Sequence, residues 1–145
     1  LGVEKSKHQF SLFSNFSLMD ARYINSKETA YENKKVELVP NIIFKGGLSY
    51  RFKEFQLSYQ YSYTSEHYTD ATNAEFTSNA VNGLIPSYAV MDLSAKYAYK
   101  HWLIETGINN LTSETYFTRR ASGYPGPGII PSDPRSYYLM VGVKI

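Results

Sequence analysis

Apolar and polar residues alternate with a period of two along most of this chain, and the alternation is sharpest from Phe55 to Thr64. There Phe55, Leu57, Tyr59, Tyr61 and Tyr63 share one face, and Gln56, Ser58, Gln60, Ser62 and Thr64 share the other. Strict alternation over such a length reads as a strand with two different surroundings. The same pattern returns from Asn41 to Phe52, where Ile42, Phe44, Gly46, Leu48, Tyr50 and Phe52 oppose Lys45, Gly47, Ser49 and Arg51. It recurs near Tyr88 to Ala98, with Ala89, Met91, Leu93, Ala95 and Tyr97 against Asp92, Ser94 and Lys96, and near Trp102 to Asn110, with Trp102, Ile104, Thr106 and Ile108 against Glu105, Gly107 and Asn109. A first strand is predicted over Phe10 to Tyr23, with Phe10, Leu12, Phe16 and Leu18 on one side. A sixth covers Ser136 to Ile145, with Tyr137, Leu139, Val141, Val143 and Ile145 on one side and Ser136, Tyr138, Met140, Gly142 and Lys144 on the other.

The connections alternate too. Lys53-Glu54 joins the second and third strands and Tyr99-Lys100-His101 the fourth and fifth, whereas the gaps at Ile24 to Pro40, Ser65 to Ser87 and Leu111 to Arg135 are long. Loops beyond about 12 to 15 residues are uncommon in compact domains unless they are functional. Short turns on one side and long loops on the other describe an outer-membrane barrel, with the short turns periplasmic. Counting connections from there puts the C-terminus on the periplasmic side. Phe52, Phe55, Tyr97, Tyr99 and Trp102 lie near the short turns, as a lower aromatic girdle requires, and Tyr23, Tyr61, Tyr63, Tyr88 and Tyr137 are expected in the upper one. A soluble sandwich or lipocalin-like barrel also alternates, but its polar face meets bulk water and carries more Lys and Glu than the Ser, Gln, Gly and Asn found here. The charges Asp20, Arg22, Lys45, Arg51, Asp92, Lys96 and Glu105 are expected on the lumen side, which tolerates them where lipid does not. The fold expected is therefore all-β, an antiparallel transmembrane β-barrel segment. Six strands leave two edges whose unpaired backbone groups each cost several kcal/mol in hydrocarbon, so the segment belongs to a larger barrel.

Composition narrows the function. Aromatic residues make up 16% of the 145 residues, with 14 Tyr, which suits an apolar–aqueous boundary. No apolar run approaches the ~18 residues of a membrane helix. A net charge of +2 without a basic cluster gives no footprint for nucleic acid. No Cys is present, so disulfides and thiolate metal sites are excluded. The first residue is Leu1, with no signal-peptide pattern, and sequence upstream is expected to have been removed by processing or truncation. His8, His67 and His101 fall at a strand start, a loop and a turn, and neither Gly-x-Ser-x-Gly nor His-Glu-x-x-His occurs, so no enzyme site, catalytic residue, resident metal or cofactor is expected.

The run Gly107-Ile-Asn-Asn-Leu-Thr-Ser-Glu-Thr-Tyr-Phe-Thr-Arg-Arg120, followed by Pro134-Arg135-Ser-Tyr-Tyr and a final strand, resembles the C-terminal end of TonB-dependent outer-membrane receptors. Leu38-Val-Pro-Asn-Ile-Ile-Phe44 followed by Gly47-Leu-Ser-Tyr50 is similar to the barrel strands of that family. The resemblance covers essentially the whole chain and implies the six C-terminal strands of a barrel of about 22 strands with a plugged lumen. The departures are a terminal Ile145 where Phe or Trp is usual, and the absence of a plug domain and TonB-contacting segment. The implied function is a Gram-negative outer-membrane receptor that imports a scarce ligand, iron chelates first, when TonB pulls on the plug. The implied partners are the rest of the barrel and plug, the TonB-ExbB-ExbD complex, the ligand and outer-membrane lipid. A passive porin and a SusC-like oligosaccharide importer are the alternatives, and a lipoprotein lid is compatible with the long loops. The loop Ser122-Gly-Tyr-Pro-Gly-Pro-Gly-Ile-Ile-Pro-Ser-Asp-Pro134 resembles ferric-citrate-type members.

Candidate ligand-binding residues are Arg119 and Arg120 beside Tyr116 and Phe117, since guanidinium groups bind a carboxylate-rich anion bidentately and aromatics shape a pocket. The alternative is that the arginines pair with Glu114 or Asp133 or brace the plug. His67 and Tyr68 open the middle loop and are further candidates, against ordinary solvation. Arg135 is expected to be structural.

Overall fold

The computed structural model describes residues 8–78, 80–123 and 126–144. Ten strands occur among them: β1 (Gln9–Leu18), β2 (Ile42–Phe52), β3 (Phe55–Thr64), β4 (His67–Tyr68), β5 (Leu84–Ile85), β6 (Tyr88–Tyr99), β7 (Trp102–Asn109), β8 (Phe117–Ala121), β9 (Gly128–Pro131) and β10 (Ser136–Val143), with one 3-10 turn at Thr29–Tyr31. Six of them form one antiparallel sheet in the order β1-β2-β3-β6-β7-β10, each strand hydrogen-bonded to its neighbour along the chain of long strands. The remaining four form two small hairpins, β4-β5 and β8-β9, in the long loops.

The register carries the alternation across the sheet without a slip. Leu12 pairs with Leu48, Leu48 with Tyr59 and Tyr59 with Leu93, then Leu93 with Ile108 and Ile108 with Tyr137. Directly opposed residues share a face, so this face is apolar or aromatic from edge to edge. The other face has the row Ser11, Ser49, Ser58, Ser94, Gly107, Tyr138. A second row on that side, Gln9, Arg51, Gln56, Lys96, Glu105, Met140, gathers the charges, with Lys96 Nζ 4.0 Å from Glu105 Oε2.

Among the described residues no second layer covers the apolar face. Phe10, Leu12, Phe16 and Leu18 on β1 are 58–80% exposed, Tyr137, Leu139, Val141 and Val143 on β10 are 54–71% exposed, and Ile85 is the one fully buried large side chain among the described residues. Soluble proteins rarely leave so extensive a patch to water, whereas a barrel wall places it against lipid. At the short turns, Lys53 and Lys100 take φ of 52° at the first of two turn residues, the backbone asked of that position in a II′ hairpin. On the polar face, aromatics from the two edge strands cover neighbouring glycines: a Cβ at Gly47 would overlap the Phe13 ring, and one at Gly107 the Tyr138 ring.

Three sequence expectations change. The regular first strand stops at Leu18 instead of reaching Tyr23: beyond it Ala21 to Tyr23 pair irregularly with Asn33 to Val36 of the first long loop, through the Arg22–Lys35 bridge, and no longer with the barrel strands. Asp20 and Arg22 consequently lie outside the barrel wall, exposed and paired with each other at 2.9 Å. The upper girdle loses two members: Tyr23 donates to Glu37 Oε2 in the loop at 2.6 Å, and Tyr88 shares the polar face with Asp92. Lys45, Arg51, Asp92, Lys96 and Glu105 take the polar face as expected. Tyr124, Pro125 and Ile145, which belong to the last loop and the last strand of the sequence reading, lie outside the described residues.

Candidate functional site

The three long connections all leave the same end of the sheet, and they are tied to one another. Asn73 acts between the first and second: its Oδ1 accepts from Lys35 N at 2.7 Å and its Nδ2 donates to Lys35 O at 2.8 Å, so one side chain reproduces a strand-like pair of backbone bonds. Leu38 N adds a bond to Tyr68 O at 2.7 Å. Arg120 acts between the second and third: Nη1 donates to Ala80 O at 2.9 Å and Nη2 to Leu84 O at 3.0 Å, while the guanidinium sits 5.3 Å from the Phe117 ring centroid. Ile85, with no exposed surface, fills the middle of this layer. These bonds tie the three loops to one another.

At the base of the third connection Asn110 engages its backbone N–H and both polar atoms of its side chain. Its N–H donates to Asp92 Oδ1 at 2.9 Å, its Oδ1 accepts from Glu114 N at 2.8 Å, and its Nδ2 donates to Glu114 O at 2.9 Å and Asp133 O at 3.4 Å. Its φ is 53°, a left-handed conformation that Asn tolerates better than most residues. Arg135 Nε donates to the Asn110 carbonyl at 3.5 Å, at the outer limit of a hydrogen bond. One buried amide thus joins the end of β7, the outgoing loop and the segment returning into β10.

Above that hub, Tyr116, Thr118, Arg119, Ile130, Pro131, Ser132 and Asp133 line a cleft of about 470 Å³. Tyr116 stacks on Tyr88 with ring centroids 4.7 Å apart. Burial pushes the Tyr116 phenol above its ordinary pKa, the nearby Tyr88, Asp133 and Asp92 add to the rise, and a hydrogen bond with Ser132 opposes it. Near neutral pH the group is therefore a neutral hydrogen-bond donor. Arg119 is exposed and makes no ion pair or side-chain hydrogen bond with another described residue.

Of the residues singled out from sequence, Tyr116 and Arg119 share this cleft. Arg120 does not: neighbours along β8 face opposite sides, and its guanidinium is committed to the middle loop. His67 lies in β4, 7% exposed, with Nδ1 3.0 Å from Ser65 O and its backbone paired to Ile85. The sequence pattern singles out neither Asn73 nor Asn110 as an organising residue, although Asn110 stands inside the Gly107–Arg120 motif. Among the described residues no group of three or more His, Asp or Glu is placed to hold a metal ion.

The polar-faced, apolar-backed sheet with braced loops at one end matches known receptors. The family described as TonB dependent receptor-like, beta-barrel matches residues 2–111. The chain belongs to this family. It is a family of receptors and not of enzymes, and its barrels lie in the Gram-negative outer membrane. Among solved structures, the unliganded ferric citrate transporter FecA superposes with a TM-score of 0.81 at 17% identity, over 92% of this chain and 21% of that one. The siderophore receptor PiuA from Acinetobacter baumannii gives 0.70 at 19% identity over 91% and 19%, and the ferric yersiniabactin receptor FyuA from Yersinia pestis 0.75 at 16% over 92% and 21%. At these identities the likeness is one of fold. The chain spans about a fifth of these receptors, and its open six-stranded sheet is a part of such a barrel. No curated protein matches it.

Proposed function

We propose that the full-length protein carrying this segment is a TonB-energised outer-membrane importer of an anionic iron chelate, of the ferric-citrate or ferric-siderophore kind. In this reading the 145 residues are the C-terminal part of the barrel; the remaining strands and the plug come from the rest of the protein, and the TonB-ExbB-ExbD complex acts through that plug. The long loops then face outward and the short turns and C-terminus face the periplasm. The observation that carries the proposal is the cleft beside β8, where an Arg119 without an ion-pair partner among the described residues and a neutral Tyr116 donor stand together on cross-braced loops. A guanidinium offers a carboxylate-bearing chelate a bidentate contact, and a preset cleft loses little entropy on binding. Asp133 lines the same cleft, so selectivity favours a ligand that also presents a donor or its metal toward that carboxylate.

The test is iron-chelate uptake by Gram-negative cells expressing the full-length protein, with and without the proton-motive force. Expected is energy-dependent uptake whose apparent affinity falls about 10-fold or more in Arg119→Ala, the size of a lost charged hydrogen bond. Uptake indifferent to the proton-motive force would instead make the protein a passive porin. Energised uptake unchanged in Arg119→Ala would leave the importer standing and remove the cleft as its binding site.

A further inference from the structure

The end of the sheet opposite the long loops carries a repeated device. In both short turns an exposed lysine follows an aromatic residue, Phe52-Lys53 and Tyr99-Lys100. Each takes the same positive φ of 52° and brings its ammonium over the preceding ring, at 5.5 Å from the Phe52 centroid and 5.2 Å from the Tyr99 centroid. These rings belong to the apolar face: Phe52 is opposed by Phe55, and Tyr99 by Trp102. Both Tyr99 and Trp102 are 52% exposed. Lys144, whose N–H donates to His101 O at 2.8 Å, adds a third exposed cation beside the second turn, and Glu54 is the one carboxylate within the two turns.

We propose that this rim binds the phosphate headgroups of anionic phospholipids in the periplasmic leaflet. A ring at the edge of the hydrocarbon fixes the height of each lysine, and the ammonium held at that height meets the phosphate layer; the acyl chains continue along the apolar face beside it. Charge complementarity and continuity with the lipid-facing wall select a lipid as the occupant. The proposal rests on the membrane placement of the barrel and is independent of which ligand the loops bind.

Native mass spectrometry of the full-length protein, released from detergent micelles after adding phosphatidylglycerol or a diacylglycerol with the same acyl chains, tests it. The wild type is expected to retain phosphatidylglycerol in preference to diacylglycerol. Lys53→Gln/Lys100→Gln is expected to reduce that preference about 25-fold, from about fivefold per lysine near an anionic surface. Lys53→Arg/Lys100→Arg, which keeps both charges, should retain it, and Lys45→Gln on the opposite face should not change it. Preference undiminished in the double Gln variant would overturn the proposal. So would displacement of the lipid by millimolar inorganic phosphate, which would mark a site for free phosphate. Retention of neither lipid by the wild type, or equal retention of both, would likewise overturn the headgroup site while leaving the membrane placement of the barrel untouched.

Discussion

Asn110 shows how much a single residue can decide. Its side chain and backbone hold Asp92, Glu114 and Asp133 at once, and it is only 3% exposed. Replacing it by Ala takes the side-chain partner from part-buried backbone groups of the loop and forces an apolar residue to keep φ near 53°. Unmade buried hydrogen bonds cost ~1–3 kcal/mol each, and a left-handed backbone costs ~1–2 kcal/mol outside Gly and Asn. Asn110→Ala is therefore expected to destabilise the full-length barrel by ~3 kcal/mol in equilibrium unfolding from detergent. Asn110→Gly loses the same side-chain bonds but accepts the backbone, and should recover ~1 kcal/mol of that loss. If the two variants are equally stable, backbone conformation is not part of what Asn110 supplies. In the sequence this residue was visible only as a letter in a family-like motif, because its role depends on partners 18 and 23 residues away that no local pattern brings together.

Elements divide by whether a period specifies them. β2, β3, β6 and β7 lie within one residue of their sequence expectation, since each has one face in lipid and a one-residue slip would put every apolar side chain on the wrong side. The β4-β5 and β8-β9 hairpins had no such signal: β4 and β5 have two residues each, and β8 and β9 meet with an irregular register. Such hairpins are held by Asn73, Arg120 and burial of Ile85. The same contrast explains why the sequence groups Arg119 with Arg120 while the structure separates them: the separation follows from β8 being a strand. The register itself makes a prediction on adjacent residues of β2. Leu48 is 46% exposed on the apolar face, whereas Ser49 faces Ser58 across the polar one, with their Oγ atoms 3.2 Å apart. Arg at a lipid-facing midplane position costs ~2–4 kcal/mol and much less in a lumen. Leu48→Arg in the full-length protein should block outer-membrane assembly, seen as loss of the heat-modifiable band on gels, and Ser49→Arg should assemble. Equal assembly of both would invalidate the assignment of faces.

On the scale of the molecule the controlling fact is that the sheet has two open edges, β1 and β10. On each edge alternate residues direct N–H and C=O outward, so the ten residues of β1 and eight of β10 present on the order of ten unpaired donors and as many acceptors in total. At several kcal/mol for each group placed in hydrocarbon, the penalty reaches tens of kcal/mol, beyond the ~5–15 kcal/mol that a folded domain has to spare. An open sheet in a bilayer is excluded by that comparison, and the edges must meet partner strands. This agrees with the segment matching about a fifth of FecA and FyuA. The consequence is measurable by amide hydrogen exchange. In the full-length protein in detergent, outward amides of β1 and β10 should be protected as strongly as those of β3, which has neighbours on both sides. In the isolated 145 residues the same edge amides should exchange orders of magnitude faster, while β3 keeps part of its protection. Equal protection of edges and centre in the isolated segment would mean that copies of it close on one another, β10 of one copy against β1 of the next. That assembly would be a barrel built from repeated chains, with the open edges satisfied by a second copy in place of the missing strands.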